Sequence, residues 1–188
     1  MRVCAVICEY NPFHNGHARH LALAREKSGA DFMLCLMSGA LTQRGAFARH
    51  DKWLRARMAL LGGADLVLEL PCRFACAPAP DFASGGVALL RALGVVTHLS
   101  FGCEAQSLDI LFAARDALRD ESPAFQSVLK EALDRGLPYP RARALAAESA
   151  SGLSGLAEQI ARPNAVLALE YLQALPDDIS AVPILREG

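Results

Sequence analysis

Short apolar runs that alternate with longer, helix-periodic segments constrain the fold of this chain more than any other feature. Each run is five or six residues long, and they fall at residues 3–8, 32–37, 66–70, 97–101 and 181–185. Strands buried on both faces are apolar along their whole length, so such runs are typical of a parallel sheet with helices on both faces. Helical periodicity predicts helices near residues 17–27, 51–61 and 82–93, with several more between 108 and 175. The pattern predicts an α/β fold of about five parallel strands.

Length and composition indicate a folded, single-domain protein. The 188 residues are 53% hydrophobic and 21% charged, a balance that argues against disorder. We expect one domain over residues 1–188, because two domains fit this length only if both are small. Proline-rich residues 72–80 predict a loop. With a net charge of −1, no overall field draws the chain toward nucleic acid, although basic residues cluster between Arg44 and Arg57.

The cysteines and the N-terminal segment favour a cytoplasmic protein. None of the six cysteines forms a CxxC pair, and three lie in apolar strand-like runs, where cysteine packs as a small hydrophobe. This usage suits a reducing compartment. The N-terminal apolar run is too short for a secretory signal, and no uncharged stretch reaches membrane-spanning length. We therefore expect a cytoplasmic protein without a membrane partner.

A turn that contains two histidines follows the first predicted strand. The sequence from Glu9 to His17 reads EYNPFHNGH and leads into a helix-periodic stretch. A helix start carries unpaired N–H groups and a partial positive charge, and both attract phosphate. Gly16 lacks the Cβ that would hold a phosphate away, and His14 and His17 can donate hydrogen bonds to a phosphoryl group. The turn predicts a nucleotide-phosphate site.

Two other interpretations of these histidines stay open. The spacing of His14, His17 and His20 sometimes binds zinc, but no cysteine or carboxylate accompanies them at ligand spacing, and we predict no metal ligand on the chain. Solvated turn histidines without a function are the ordinary alternative for an isolated motif.

Unusual residues also follow the other predicted strands. Ligands of parallel sheets bind beyond the carboxyl ends of the strands, near the point where strand order reverses. The second strand is followed by SG and QRG, the fourth by GCE, and the fifth by Arg186, which a helix start at 162–164 precedes. The convergence of these residues on one edge strengthens the prediction of a nucleotide pocket.

Five motifs give the chain a resemblance to a known family. They are EYNPFHNGH at residues 9–17, MSG with QRG at 37–45, DKW with ADLVLELP at 51–71, FGCE at 101–104 and RPNAVLALEY at 162–171. On these motifs the chain resembles the bacterial tRNA(Met) cytidine acetate ligases, which belong to the HIGH-motif nucleotidyltransferases and share a Rossmann-like fold. The first motif alone would indicate only the superfamily. Ala40 departs from the pattern, since members carry a larger polar residue there.

The resemblance implies an ATP-dependent ligase. It would activate acetate as acetyl-adenylate, release pyrophosphate with Mg²⁺ bound to it, and pass the acetyl group to N4 of the wobble cytidine of elongator tRNA(Met). His14 and His17 would be catalytic and donate to the α-phosphate and bridging oxygens. The implied ATP contacts are Ile7, Cys8, Glu9, Tyr10, Asn11, Pro12, Phe13, His14, Asn15, Gly16, His17, Ala18, Arg19, His20, Gly102, Asn164 and Arg186. The candidates for contact with substrate or tRNA are Ser38, Gly39, Arg44 and Lys52.

Several side chains have alternative roles. Glu9 would either help to hold Mg²⁺ or fix the turn by accepting backbone hydrogen bonds. Asn164 would cap a helix or contact ribose or phosphate, and Arg186 suits phosphate binding through its planar guanidinium. Asp51 is expected as an acid in the first turn of a helix or as a partner for a basic residue. Trp53 is expected to pack its helix against the sheet, the alternative being stacking on an unpaired base.

Members of the resembled family extend further than this chain. They carry a second phosphate-binding element, a Ser/Thr-rich segment that ends in Arg, and the sequence reaches Gly188 without it. We therefore expect a fragment or a truncated relative. Two other functions are alternatives to the ligase: a small-molecule adenylyltransferase of the same superfamily, and a non-catalytic module that binds ATP or RNA.

Overall fold

The computed structural model describes residues 1–104 and 107–185, and of residue 163 the backbone alone. The strands are β1 (Val3–Cys8), β2 (Phe32–Ser38), β3 (Leu66–Leu70), β4 (His98–Cys103) and β5 (Ser180–Leu185). The helices are α1 (Asn15–Ser28), α2 (Lys52–Leu61), α3 (Cys72–Ala75), α4 (Ala79–Ala92), α5 (Leu108–Asp120), α6 (Pro123–Asp134), α7 (Tyr139–Ser151), α8 (Leu156–Ile160) and α9 (Pro163–Ala174).

The five strands form one parallel sheet in the order β3-β2-β1-β4-β5. At its centre Val6 of β1 is paired with Cys35 of β2 on one side and with Ser100 of β4 on the other. Strands β2 and β3 therefore extend the sheet on one side of β1, and β4 and β5 extend it on the other side. The predicted α/β fold is confirmed.

Helices cover both faces of β1, which explains its unbroken apolar sequence. On one face Cys4 and Val6 belong to a buried cluster with Leu21 and Ala24 of α1. On the other face α4 packs closely on Ile7, because a Cβ added to its Gly86 would lie 2.6 Å from the Cδ1 atom of Ile7. Alternate side chains of a strand point to opposite faces, so a strand between two helical layers needs apolar residues at every position.

The predicted loop over residues 72–80 is wrong in part, because this segment contains α3 and the beginning of α4. The prolines do not prevent these helices, since Pro71 and Pro78 occupy the N-cap positions and Pro80 lies in the first turn of α4. A proline in the first helical turn loses no hydrogen bond, because the N–H groups of that turn have no partner within the helix.

Trp53 does not pack against the sheet, and the prediction of a core tryptophan is wrong. The Asp51 carboxylate caps α2 by accepting from the backbone N–H groups of Trp53 and Leu54, both at 2.9 Å. The buried side of α2 carries Arg55 and Ala59. Residue 53 is two positions from residue 55, a rotation of about 200° around a helix. Trp53 therefore faces away from the sheet and is 76% exposed.

Arg55 is the charged side chain that α2 buries, with 1% of its surface exposed. Its Nη1 donates to the Glu9 carbonyl at 2.6 Å and to the Ser38 carbonyl at 3.2 Å. Its Nη2 donates to the Gly39 carbonyl and its Nε to the His50 carbonyl, the latter at 3.0 Å. One guanidinium thus binds the segments that follow β1 and β2 and the segment that precedes α2.

Burial lowers the pKa of Arg55, and the nearby Cys8, Glu9, Asp51 and Glu69 oppose that shift. The group stays charged, because an arginine pKa lies far above neutrality. Buried carbonyls left without their donor would each cost about 1–3 kcal/mol. Arg55 therefore stabilises the carboxyl edge of the sheet through backbone contacts.

Contacts within the chain divide it into two compact units. The first contains residues 1–102 and 174–184, and with them the whole sheet core and α1 to α4. The second contains residues 103–173 and 185–188, and its helices are α5 to α9. The single domain over residues 1–188 stays a prediction. Within the described ranges, no helix has the length and apolar character that a bilayer crossing requires.

Asp65 connects three elements at the amino edge of the sheet. Its Oδ2 accepts from the Met33 backbone N–H at 2.6 Å and from Nη2 of Arg25 at 2.5 Å. Arg25 also donates through Nη1 to the Asp31 carbonyl at 2.9 Å. Partial burial alone would raise the pKa of Asp65, but the Met33 hydrogen bond and the Arg25 charge outweigh it and hold that pKa below its usual range.

An Asp65→Asn substitution should therefore reduce stability at pH 7 and lose this effect in acid. A carboxyl group whose pKa is lowered by folding stabilises the protein above its unfolded pKa, and this contribution is lost as the pH falls through the folded pKa. The measurement is the free energy of unfolding in urea at pH values from about 7 down to about 3, spanning the ordinary aspartate pKa.

Asp134→Asn is the matched control, since Asp134 is exposed at the end of α6 and forms no ion pair among the described residues. A destabilisation by Asp65→Asn of the same size at every pH would contradict the assigned role.

Candidate functional site

Residues 9–17, which we call the histidine turn, lie at the point where the strand order of the sheet reverses. The turn follows the carboxyl end of β1, and β1 is the strand from which the chain builds in both directions. In open parallel sheets this switch point opens a crevice beyond the strand ends. Nε2 of His20 in α1 and Oγ of Ser100 in β4 form a hydrogen bond of 2.9 Å. The helix after the turn is therefore attached to β4, which pairs with β1 on the side opposite β2. The predicted placement of the turn at a strand-to-helix junction is confirmed.

His14 and His17 cap α1 reciprocally. The Gly16 backbone N–H donates to Nδ1 of His14 at 3.1 Å, and the His14 backbone N–H donates to Nδ1 of His17 at 3.3 Å. A Cβ added to Gly16 would lie 3.0 Å from Cε1 of His14. Glycine at this position therefore makes room for the His14 ring, a reason that the sequence did not reveal.

The cap determines which nitrogen of each imidazole can donate. An Nδ1 that accepts a hydrogen bond carries no proton, so a neutral ring has its proton on Nε2. The two rings are stacked with centroids 3.7 Å apart, and the His17 ring also contacts that of the buried Tyr10 at 4.8 Å. The capping bonds therefore hold both rings at the start of a helix, where backbone N–H groups and the helix dipole favour an anion.

Glu9 and Asn11 hold the segment after β2 against the histidine turn. Oε1 of Glu9 accepts from the Gln43 backbone N–H at 2.5 Å, and Oδ1 of Asn11 accepts from the Arg49 backbone N–H at 2.7 Å. Of the two roles considered for Glu9, the structure shows a carboxylate that accepts a backbone hydrogen bond. The two strand-end segments are thus joined by side chains of the first motif.

The segment after β2 forms a small hairpin, which we call the 40–48 hairpin. Leu41 and Phe47 form an antiparallel bridge, and the Ala48 N–H donates to the Ala40 carbonyl at 2.9 Å. Its turn is closed by the Gly45 N–H, which donates to the Thr42 carbonyl at 2.9 Å. Gly45 has φ of +73°, a conformation that glycine adopts without strain.

The other predicted ATP contacts in the first unit lie in β1, in the turn that follows it, in α1 and in β4. Tyr10 is buried and Phe13 packs against the same core cluster, so those two side chains face the interior. Gly102 lies in β4, two positions beyond Ser100, which is paired with Val6.

Two predicted contacts lie elsewhere: Asn164 belongs to the second unit, and Arg186 is not among the described residues. Asn164, in the first turn of α9, donates through Nδ2 to Oε1 of Glu104 at 2.5 Å. Arg162 donates to the Glu104 carbonyl at 3.5 Å. Glu104, the last residue of the FGCE motif, therefore meets the RPN motif inside this unit, and its carboxylate orients Asn164.

The candidates for substrate contact lie around the carboxyl ends of β2 and β3. Ser38 is 1% exposed, and its hydroxyl has no hydrogen-bond partner among the described residues. Gly39 fits against Glu69, whose Oε2 binds Nζ of Lys52 at 2.6 Å. Arg44 is exposed in the turn of the 40–48 hairpin. These four candidates share one edge of the first unit with the histidine turn.

No group of three metal-binding side chains is found in the described part of the chain. All six cysteines are free thiols.

Sequence analysis missed the roles of Arg55 and Asn11. Arg55 stood out only as one member of a basic cluster, and Asn11 only as part of a motif and as an implied ATP contact. The partners of both side chains are backbone groups distant in sequence, such as Glu9 for Arg55 and Arg49 for Asn11. The one available signal for Arg55 was its position four residues after the helix cap Asp51, on the inner side of α2.

Comparison with known proteins identifies the family that the chain resembles. The family model described as HIGH Nucleotidyl Transferase matches residues 1–188. A tRNA(Met) cytidine acetate ligase of Acetivibrio thermocellus is 46% identical over 176 residues, which cover 93% of this chain and 42% of that protein. A protein of the same name from Halothermothrix orenii is 39% identical over 199 residues, with 100% of this chain and 47% of the relative covered.

Solved structures show the same fold. The crystal structure of Thermotoga maritima TmcAL bound with alpha-thio ATP has a TM-score of 0.91 and 38% identity, with 100% of this chain and 47% of that chain covered. Its apo form gives the same TM-score and identity, with 46% of that chain covered. The chain spans about half the length of the relatives it matches.

The resemblance to the tRNA(Met) cytidine acetate ligases is thus confirmed at the level of sequence and fold. With a family model that matches from the first residue to the last, the chain belongs to the HIGH nucleotidyl transferase family.

Proposed function

We propose that this chain binds ATP at the histidine turn and supplies the nucleotide-binding part of a tRNA(Met) cytidine acetate ligase. The observation that carries the proposal is the reciprocal histidine cap at the switch point of the sheet. Support comes from the relatives of that name and from the similar Thermotoga maritima structure, which holds alpha-thio ATP. A tRNA-modifying role would place the protein in the cytoplasm.

The proposed reaction has two steps. A carboxylate oxygen of acetate attacks the α-phosphorus of ATP, the bond to the bridging oxygen of the β-phosphate breaks, and pyrophosphate leaves. The N4 amino group of the wobble cytidine then attacks the carbonyl carbon of acetyl-adenylate, loses a proton, and displaces AMP. Neither step requires a covalent bond to the protein, so positioning and charge stabilisation are its main contributions.

His14 and His17 are proposed to donate to oxygens that gain charge during the first step. Their capped Nδ1 atoms leave Nε2–H as the donor of each neutral ring. Because the cap and the stacked geometry hold both rings before the substrate arrives, little reorganisation is needed in the transition state. The N–H groups of the first turn of α1 add further donors.

A Mg²⁺ ion that accompanied ATP would supply charge neutralisation for the phosphate groups. Ser38 is proposed to contact substrate at the same edge, which requires a local rearrangement that opens its buried hydroxyl. Asn164 and Arg186 are proposed as additional nucleotide contacts. The Glu104 carboxylate would hold the Asn164 amide in place for that role.

Acetate-dependent exchange of labelled pyrophosphate into ATP tests the activation step. We expect exchange only when ATP, Mg²⁺ and acetate are all present, because pyrophosphate returns to ATP only from an adenylate. Exchange with a nucleotide-like acceptor in place of acetate would indicate a small-molecule adenylyltransferase instead. Binding of ATP without any exchange would indicate a non-catalytic module.

His17→Ala should reduce the acetate-dependent exchange rate by about 10²–10³-fold, the usual effect of removing one donor to a developing anion. His50→Ala is the matched control, because His50 is exposed and lies outside the turn. The thermal melting point of both variants separates a lost donor from a lost helix cap. A reduction under about tenfold in a folded His17→Ala protein would exclude the proposed role, since it is below the usual range for such donors.

A further inference from the structure

Two large aromatic side chains are exposed on the ordered segment between β2 and the middle of α2. Phe47 is 82% exposed and Trp53 is 76% exposed. Phe47 lies in the 40–48 hairpin, and Trp53 is in the first turn of α2 beside the Asp51 cap. They are six positions apart in the sequence, so their Cα atoms are at most about 20 Å apart.

The same segment has an excess of positive charge. Residues 44–57 contain five Arg or Lys residues and one acid, whereas the whole chain has a net charge of −1. The acid is Asp51, whose carboxylate is used in the helix cap. Arg44, Arg49 and Arg57 are exposed and take part in none of the ion pairs seen among the described residues.

The aromatic side chains are held in place before any partner binds. Hydrogen bonds within the 40–48 hairpin fix the backbone at Phe47, and Glu9 and Asn11 fix that hairpin and the residues after it to the histidine turn. Lys52 lies with Nζ 5.4 Å from the centre of the Trp53 ring. Exposing such side chains on a rigid frame costs hydrophobic free energy, which a ligand that stacks on them would recover.

We propose that Arg44, Phe47, Trp53 and Arg57 form an RNA-binding surface on which unpaired bases of the tRNA stack while the arginines bind phosphates. Hereafter these four residues are called the stacking surface. The proposal rests on the proposed function, because it assigns the part of the first unit that receives the second substrate. It also reverses the expectation that Trp53 is a core residue.

The composition of the stacking surface favours RNA over a protein partner. The centres of protein interfaces are depleted of charged residues, whereas surfaces for single-stranded nucleic acid combine cations with exposed aromatic rings. A polyanion also complements a segment in which cations outnumber acids. Unpaired bases are the expected ligand, because sequence-tolerant stacking requires a base face that a duplex does not present.

Trp53 is the only tryptophan of the chain, so its fluorescence reports on the stacking surface alone. We expect the RNA-free protein to show emission that acrylamide quenches readily. Addition of elongator tRNA(Met) should quench this emission saturably, and a fully base-paired RNA of equal charge should not. Emission that is shielded from acrylamide before RNA is added would mean that protein covers Trp53, and it would overturn the proposal.

Variants give the second readout. Trp53→Ala and Phe47→Ala should each weaken binding of tRNA(Met) by at least about fivefold, the lower range for loss of one stacking contact. Trp53→Phe should bind within about twofold of the unchanged protein, because it keeps an aromatic face for stacking. Leu61→Ala is the matched control, since Leu61 is 81% exposed at the other end of α2. Unchanged tRNA affinity in both alanine variants would overturn the proposal.

Acetate-dependent pyrophosphate exchange, measured on the same variants, separates the two proposals. Full exchange with weakened tRNA binding supports the stacking surface. Absence of exchange in every protein, including the unchanged one, would count against the proposed function, while the fluorescence and binding results would still decide for or against the surface.

Discussion

The buried guanidinium of Arg55 is the interaction on which the arrangement of the carboxyl edge depends. It binds carbonyl groups of Glu9, Ser38 and His50, and so joins the end of β1, the end of β2 and the approach to α2. These three segments carry the histidine turn, the 40–48 hairpin and the N-terminus of α2. Carbonyl partners satisfy the cation without neutralising it, which is why the group can stay charged while buried.

A second layer of hydrogen bonds acts in the same direction. The side chains of Glu9 and Asn11, both in the first motif, accept hydrogen bonds from backbone N–H groups that follow β2. Arg55 therefore binds carbonyl groups in the segments after β1 and β2, while Glu9 and Asn11 bind N–H groups in the segment after β2. The proposed phosphate site and the proposed stacking surface are held by the same hydrogen bonds. A displacement of one strand-end segment should therefore displace the other. Such a frame would position both proposed ligands through one small set of polar contacts.

The sequence was sufficient for the sheet and for the position of the histidine turn. Residues 3–8 and 66–70 were predicted with the observed bounds, because a doubly covered strand has an apolar signature that few other structures share. The turn could be placed because a strand, a glycine and a helix follow one another in the chain. Both inferences depend on neighbours in sequence.

The errors arose where partners are distant or where a helix face had to be chosen. Arg55 could not be separated from the surface cations around it, because its carbonyl partners come from three other segments. Trp53 was assigned to the core because a tryptophan in a helix-periodic stretch usually packs inward, but Arg55 occupies the inner position that a hydrophobic residue would be expected to fill. The reciprocal cap of His14 and His17 was also beyond the sequence, because either ring could have pointed elsewhere.

Amide hydrogen exchange in an Arg55→Lys variant tests the central claim most directly, because lysine keeps the charge but cannot bind these carbonyls simultaneously. If Arg55 holds the carboxyl edge together, amides in residues 9–17 and 39–50 should lose protection by a similar factor, while amides of β1 and β2 retain theirs. Loss of protection in only one of these segments, or unchanged protection in both, would contradict the account.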